Sequence, residues 1–416
     1  MNIPDPVHKI VKSLTQAGGR CLLVGGAVRD HLMGRPVKDY DLEVYHLPFD
    51  SLKKSLSELG PSKEVGVSFG VIKVWCDGME VDVALPRFET KTGPGHRGFE
   101  VSLAPDASYE SAAKRRDFTM NSMGFDPVTD TLLDPYNGQA DIKAAVIRHV
   151  SDAFSEDPLR VLRAMQFSAR FQMNIHPSTM SVCQRLDLKE LAKDRILREF
   201  EQLLLKAPAP SWGLKLASQM GVWTHFDGMK AVSENPEHWQ RTCENVDQMA
   251  LARSGDDHTD RVMMAAALCE SLSGPDTRRF LGQLTQERAL IQGVRTLIEN
   301  KSAADDCHQA PSPETAVRHL ATRVKIQVLA PFLKALARDP EQQKRVTWLS
   351  QTAQTLGVDE QPLPPLLTGA DLKKLGVPPG KQMGELLEQV YEQQLNGQVQ
   401  EKSQAISFLK GVLGAS

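Results

Sequence analysis

What this 416-residue chain lacks narrows its class before any motif is read. Its six cysteines, Cys21, Cys76, Cys183, Cys243, Cys269 and Cys307, are scattered with no CxxC spacing. That excludes a zinc ribbon or a vicinal redox pair, and free thiols in a reducing cytosol are the simplest reading. The opening MNIPDPVHKI carries no apolar core of signal-peptide type. No apolar run approaches the ~18 residues that span a bilayer. The expectation is a soluble, cytoplasmic protein with no membrane partner. There is no internal repeat and no long low-complexity tract. Excess charge of one sign is also missing: 49 Lys and Arg against 52 Asp and Glu leave −3. A uniformly basic nucleic-acid binder is thereby excluded. What is present is an ordinary globular composition, 41% hydrophobic and 24% charged. The length allows about two to four domains.

The first 150 residues alternate short apolar runs with helical patterns. Val7, Ile10, Val11 and Leu14 share one helical face. Arg20–Val24 reads as a buried strand ending at Gly25-Gly26, and Ala27–Met33 as the next helix, closed by Gly34. Tyr40–Tyr45 alternates as a strand does, and Phe49–Leu59 is helical. Val71–Trp75 and Glu80–Leu85 read as two strands turned at Asp77-Gly78. This pattern implies an α/β unit with a mixed sheet. From about Asp152 the strand signals vanish. Helical periodicity covers Glu156–Phe171, Ser178–Leu186, Lys189–Lys206, Trp212–Met220 and most of the rest. Two Pro-containing stretches, Ser302–Pro313 and Gln361–Thr368, interrupt it. The expected fold class is an α/β head followed by an all-α remainder.

Four constellations carry chemistry. In Leu23–Asp30 (LVGGAVRD) a strand ends in two glycines and a helix follows at once. Gly25 and Gly26 let the backbone approach a ligand, the helix start offers N–H groups to an anion, and Arg29 adds a cation. The bland alternative is a tight strand–helix turn, and the loop is neither a Walker A sequence nor GxGxxG. In Lys38–Tyr45 (KDYDLEVY), Asp39 and Asp41 project from the same strand face. Two carboxylates held that close invite a hard divalent ion such as Mg²⁺. Asp82, alternating with Val81 and Val83, is a third carboxylate on a core strand. Three convergent carboxylates can hold two metals for phosphoryl transfer, whereas the bland reading is a solvated face. Lys114–Asn121 (KRRDFTMN) brings Arg115 and Arg116, natural phosphate or ribose ligands, or simply a solvated charged cluster. In Glu156–Arg163 (EDPLRVLR), Asp157 and Arg160 are three apart and so share a helix face. They offer carboxylate acceptors and a guanidinium fork, or else only a capped helix with an internal ion pair.

In chain order these pieces spell GGAVRD, DYD, VDVALPR, KRRDFTMN, DPYNG and EDPLRVLR. The set resembles the class II tRNA nucleotidyltransferases, the bacterial CCA-adding enzymes related to poly(A) polymerase. The likeness covers about the first 200 residues. A second stretch, LTGADLKKLGVPPGK from Leu367 to Lys381, looks like the family's tail and favours its tRNA branch. The resemblance implies a polymerase-β-like α/β nucleotidyltransferase head over 1–150, then an all-α neck over 151–206 with the nucleotide-selecting helix. A helical body with a degenerate HD-like region over 207–300 and a tRNA-binding tail over 301–416 would follow. By resemblance, Gly25, Gly26 and Arg29 grip the triphosphate, and Asp39 and Asp41 bind the catalytic Mg²⁺ with Asp82 as a third acid. Arg116, Asp117 and Asn121 match a motif that contacts the nucleotide and its ribose. Asp134–Gly138 matches a hinge. Asp157 and Arg160 template the incoming base, with Arg163 as a further contact. Asp accepts from the exocyclic amine of C or A and Arg donates to the ring acceptor beside it; G and U present an oxygen there instead.

The implied activity is template-independent addition of C, C and A to tRNA 3′ ends from CTP and ATP. The alternatives are CC-only or A-only addition, a poly(A) polymerase, and a catalytically silent RNA-binding protein on the same scaffold. The Gly-rich Phe88–Phe99 stretch matches a flexible family loop that switches from C to A addition, which argues against CC-only. Two departures stand out. The family helix reads LRxxRAxRF, but Gln166 occupies its last basic position. In Glu237–Leu272, Arg241 and Glu270-Ser271 stand where HD phosphohydrolase ligands would fall, and His238 and His258 cannot rebuild that motif, so no phosphohydrolase activity is expected. Local charge also departs from the average. Pro158–Lys206 has nine Lys/Arg against five Asp/Glu, while Glu234–Glu270 has three against eight. A near-neutral total can thus hide a basic face for an RNA backbone.

Overall fold

A computed structural model of the chain describes residues 1–65, 70–91 and 99–414. These fold as two units, Met1–Phe226 and Asp227–Ser416. In the first, helix α1 (Asp5–Gln16) buries Val7, Ile10, Val11 and Leu14, the face set by their 3–4 spacing. Strand β1 (Arg20–Val24) follows, then α2 (Gly26–Leu32), β2 (Asp41–Tyr45) and α3 (Phe49–Ser57). Next come β3 (Ser62–Glu64), β4 (Val71–Cys76) and β5 (Met79–Ala84). The β4–β5 turn puts Asp77 and Gly78 at φ 47° and 80°, as a two-residue hairpin of primed type requires. β6 (Arg87–Lys91) and β7 (Phe99–Leu103) pair as a separate antiparallel ribbon. α4 (Tyr109–Ala113), β8 (Gly124–Asp126) and β9 (Thr131–Leu133) complete the head.

The main sheet runs β3-β4-β5-β2-β1-β8-β9. β2 and β5 are parallel and the other neighbours antiparallel, so the sheet is mixed. The β2–β5 register sets Asp41 beside Asp82. Beneath the sheet, Leu14, Leu23, Leu42, Leu52, Val74 and Val83 form a fully buried core with α1 and α3. Truncating one of these leucines to alanine would cost about 2–5 kcal/mol. The sequence pattern does not reveal β3 or β6–β9; they are three to five residues long, and pairing rather than propensity makes them strands.

α5 (Gly138–Lys143) is capped by Asp134, which accepts from the Gly138 and Gln139 amides at 2.6 and 3.0 Å. A Cβ on Gly138 would lie 2.4 Å from the Thr119 carbonyl oxygen, so only glycine fits this turn. β10 (Val146–Ile147) leads through a 3-10 turn, Asp152–Glu156, to α6 (Leu159–Phe171). β11 (Asn174–Ile175) pairs with β10, a strand contact past Asp152 that periodicity misses. α7 (Pro177–Cys183), α8 (Lys193–Lys206) and α9 (Pro210–Gln219) follow. α6 packs on α8 and α9, burying Leu159, Leu162, Met165 and Phe167 among others.

Regular structure among the described residues of the second unit is helical. It comprises α10 (Met229–Glu234), α11 (Pro236–Leu251), α12 (Asp257–Cys269), α13 (Gly274–Leu284), α14 (Arg288–Glu299) and α15 (Ala303–Gln309). α16 (Pro313–Ala321), α17 (Ile326–Leu336), α18 (Pro340–Thr355), α19 (Gly369–Lys374), α20 (Lys381–Leu395) and α21 (Lys402–Gly414) follow. α15 corrects the reading of Ser302–Pro313 as an interruption: that stretch contains two helical turns that bury Ala303, Ala304 and Cys307. α19–α21 gather their own apolar cluster around Leu372, Leu386 and Leu409. Among the described residues no helix is long and apolar enough to cross a membrane.

Candidate active site

A cleft of about 1070 Å³ opens in the first unit. Residues from β1–α2, β2, the Arg115–Asn121 segment, α6 and α8 line it. Gly25 sits at φ 68°, ψ −126°, which side-chain-bearing residues rarely adopt. A Cβ there would also stand 3.4 Å from Arg116 Nη1 and 3.9 Å from Asp41 Oδ2. The glycine thus keeps backbone, guanidinium and carboxylate close together. Arg29, buried in α2, donates to Asp30 Oδ1 and to Asn121 Oδ1, both at 2.8 Å.

Asp39 and Asp41 both line the cleft, although β2 begins only at Asp41. Tyr40 between them is buried and Asp39 is exposed, the alternation an extended segment imposes. Burial, then the charges of Asp82 and Asp39, push the Asp41 carboxyl up to about 6, against the opposing pull of Arg116 and Lys73. Asp82 does not line the cleft; it flanks Asp41 across the parallel pair, with Lys73 Nζ 3.1 Å from its carboxylate. Among the described residues no three His, Cys, Asp or Glu side chains close into a metal cage.

Arg116, Asp117 and Asn121 form one buried network. Asp117 accepts from its neighbour's amide, Phe118 N, at 2.7 Å and from Asn121 Nδ2 at 3.0 Å. Its other oxygen takes Arg163 Nε and Nη2 at 2.8 and 2.7 Å. Burial opposes its ionisation, but the Arg163 charge and these hydrogen bonds outweigh it and hold the carboxyl below the usual range. Arg116 donates to Glu43 Oε2 at 3.3 Å, and its buried Nε has no hydrogen-bond partner among the described residues. Glu43 also accepts from Tyr45 Oη at 2.8 Å. The sequence reading gave Glu43 no role, yet acids at 39, 41 and 43 mark one strand face, and that alternation could have found it.

The expected helix-face pair is corrected. Asp157 lies outside α6 in extended conformation, φ −123° and ψ 99°. Its Oδ1 accepts from Leu159 N at 3.2 Å and its Oδ2 from Arg195 Nη2 at 2.8 Å. Arg160 donates instead to the carbonyls of Ala153 and Arg115, at 2.6 and 2.7 Å. Asp157 and Arg160 therefore line the same cleft with their side chains on different partners, while the Arg160 amide donates to the Asp157 carbonyl at 3.0 Å. Arg195, from α8, is 38 residues away, and no local pattern announces it. Arg163 is held by Asp117 and by Glu199 at 3.5 Å and stacks 5.0 Å from the Phe167 ring centre. Gln166 is buried and accepts from Arg170 Nη1 at 3.1 Å. Most of the Phe88–Phe99 loop lies outside the described residues; its two ends are β6 and β7.

In the second unit, the position expected to have lost HD ligands holds an ion-pair cluster. Arg241 Nε donates to Glu270 at 2.9 Å and Lys301 Nζ stands 2.9 Å from the same carboxylate. His238 and His258 are exposed.

Comparison with known proteins agrees with this layout. Residues 21–148 match the poly A polymerase head domain, and residues 258–409 match tRNA nucleotidyltransferase domain 2. The chain is 41% identical over 187 residues to a multifunctional CCA protein of Nitrosococcus oceani, covering 44% of each chain. It is 40% identical over 190 residues to a CCA-adding enzyme of Marinobacter nauticus, covering 44% of this chain and 48% of that one. The matched stretch thus spans less than half the length of these relatives. The fold is shared with the Bacillus stearothermophilus CCA-adding enzyme in complex with CTP, at TM-score 0.78 and 22% identity over 99% of both chains. The Thermotoga maritima CCA-adding enzyme complexed with tRNA aligns at TM-score 0.67 and 20% identity, over 99% of this chain and 96% of that one. A poly(A) polymerase head domain is thus matched toward one end of the chain and a tRNA nucleotidyltransferase domain toward the other, the two parts expected from the resemblance to the class II tRNA nucleotidyltransferases and poly(A) polymerases.

Proposed function

We propose that the chain adds C, C and A to tRNA 3′ ends from CTP and ATP without a nucleic-acid template, in the cytoplasm. The observation that carries this reading is the single cleft that holds both Asp39–Asp41 and Asp157–Arg160. One pair suits phosphoryl transfer and the other suits base selection. The names of the curated relatives support the same assignment. The finer division into head 1–150, neck 151–206, body 207–300 and tail 301–416 is part of the proposal.

The family works with divalent metal ions. Asp39 and Asp41 fit such an ion: their carboxylates are hard oxygen donors, and a cation would relieve the burial and repulsion that push Asp41 up. Phosphate oxygens of a bound nucleotide would be further hard donors of the same kind. When bound, the ions, Mg²⁺ by our reading, supply charge neutralisation and an activated primer hydroxyl. The residues of the chain do the rest. Gly25 and Gly26 let the phosphates reach the backbone, and Arg29 and Arg116 offset their charge. The orphaned Arg116 Nε provides a donor ready for the nucleotide. Asp117 and Asn121 hold Arg29 and Arg163 in place. Asp157 and Arg160 retain hydrogen-bonding capacity beyond their present partners, since each carboxylate oxygen has a second lone pair and each Nη a second hydrogen. That spare capacity reads an amine beside a ring acceptor, the pattern of C and A.

The test is primer extension. tRNA transcripts ending at the discriminator base, after C and after CC are incubated with protein, Mg²⁺ and CTP, ATP or both, and resolved at single nucleotides. Completion of CCA from every start is expected. Stopping after CC, or extension of only the CC-ended RNA, refutes full CCA addition, and long A tails on unrelated RNA make the protein a poly(A) polymerase.

A further inference from the structure

Arg170, in the last turn of α6, lines the same cleft. Its guanidinium forms no ion pair among the described residues, and its side-chain hydrogen bond goes to the neutral Gln166 oxygen one helical turn back. The surroundings are cationic. Arg29, Arg35 and Arg170 stand 4.6, 4.8 and 5.4 Å from the centre of the Phe171 ring. Phe171 itself stacks on Phe167 at 5.5 Å and 11°. Arg29 and Arg170 also face Phe167, at 5.3 and 5.6 Å. Of these three guanidiniums Arg29 is ion-paired, to Asp30, while Arg35 donates to the Arg170 carbonyl oxygen. Burial, and after it the Arg29 charge, push the Arg170 pKa below the ordinary arginine value.

Cations gathered on one aromatic platform with a single paired carboxylate lack an anion. The aromatic faces offset part of that cost and fix the direction of each guanidinium. Gln166 fits this arrangement, because a cation at 166 would repel Arg170, whereas the amide oxygen accepts from it. The missing anion must carry more than one negative charge and reach Arg29 as well. Arg29 lies three residues past Gly26 in α2, and its Nη2 would stand 3.5 Å from a Cβ on Gly26, so the ligand of that glycine turn, read above as the phosphate chain, is the neighbouring one.

We propose that Arg170, oriented by Gln166, is a second guanidinium ligand for the phosphate chain of the incoming nucleoside triphosphate, acting beside Arg29. This rests on the nucleotidyltransferase reading above. Phosphates are common to CTP and ATP, so Arg170 contributes equally to both and nothing to base choice. Its contact is absent from a nucleoside monophosphate.

The test compares the full-length wild type with Arg170→Met, which keeps the stacked aliphatic stem, and Arg170→Lys, which keeps the charge. Affinities for CTP, ATP, CMP, AMP and a CC-ended tRNA are measured at one fixed divalent-ion concentration. Arg170→Met should weaken CTP and ATP by about tenfold, the value of one charge-assisted contact. Binding of CMP, AMP and tRNA should change less than about twofold, and Arg170→Lys should recover most of the loss. Unchanged triphosphate binding, or equal weakening of mono- and triphosphates, overturns the proposal. Weakened tRNA with intact CTP binding also overturns it and assigns Arg170 to the RNA backbone. Should Arg170→Met fail to fold, Gln166→Glu sets a carboxylate against the guanidinium and must give the same triphosphate-specific loss. Wild type that binds neither CTP nor ATP would refute the nucleotidyltransferase reading itself, whereas binding that Arg170→Met leaves intact refutes only the Arg170 assignment.

Discussion

Two acidic side chains, one in each unit, sit in opposite electrostatic states. Asp41 in the cleft has its carboxyl pushed up to about 6 by burial and by its acidic neighbours. Glu270 in the helical unit is even less exposed than Asp41, yet its carboxyl is held below the ordinary value. Burial opposes that, but hydrogen bonds from Arg241 and Lys301 and their charges outweigh it. Asn245 Nδ2, at 3.3 Å, and Ser271 Oγ, at 3.4 Å, add further donors. Glu270 is a carboxylate whose counter-charge the protein supplies, so it asks for no ligand. Asp41 lacks that full compensation, and in the same cleft Arg170 lacks an anion. Unbalanced charge of both signs in one cavity is what a cation-bound triphosphate would balance. The contrast teaches that burial and charge alone do not mark a functional site; incomplete compensation does.

Four measurements separate the uncompensated cleft from the compensated Glu270 cluster. Replacing Asp39 and Asp41 together by Ala should abolish every nucleotide addition, by at least about 10³-fold, while thermal stability without metal holds or rises. Retained incorporation would refute the assignment of these acids. Glu270→Ala should act in the reverse sense. It should lower unfolding free energy in urea by about 2 kcal/mol, less than for a fully buried pair because Arg241 and Lys301 are half-exposed. Nucleotide addition per folded molecule should stay at the wild-type rate; unchanged stability would show that the cluster contributes nothing.

The third concerns pH. A raised carboxyl value means that the folded protein binds the Asp41 proton more tightly than the unfolded chain does. Its contribution to stability therefore falls as pH rises from about 4 to about 6, by at most about 3 kcal/mol. Added divalent cation should offset this loss, so the cation should raise the melting temperature more at pH 7.5 than at pH 5. Equal shifts at the two values would separate Asp41 from cation binding. The smallest effect is expected from Arg195→Gln, which releases Asp157 Oδ2. Discrimination of C and A against G and U should fall about fivefold, with recovery in Arg195→Lys. A uniform fall for all four nucleotides would make Arg195 purely structural.

Long, strongly patterned elements were legible in the sequence. The face of α1, the bounds of β1 and the Asp77-Gly78 turn follow from spacing and turn chemistry. β3 and β8, of three residues each, were not, because they exist only through partners in the sheet. In the cleft, eleven of the twelve expected residues line one cavity, and Asp82 flanks it beside Asp41. Their partners were hidden. Arg195 reaches Asp157 from another helix, and Glu43 reaches Arg116 across 73 positions. Such long-range contacts leave no periodic trace. The inferred Asp157–Arg160 helix face failed because α6 begins only at Leu159, after Pro158, and leaves Asp157 extended two residues before it.

The central claim is that the cleft performing the chemistry also reads the base through Asp157. The most direct measurement is the relative rate of CTP and UTP incorporation onto a tRNA ending at the discriminator base, for wild type and Asp157→Ala. The account predicts that wild type prefers CTP by at least about 100-fold and that Asp157→Ala loses most of this preference. A variant that keeps the full preference would contradict it.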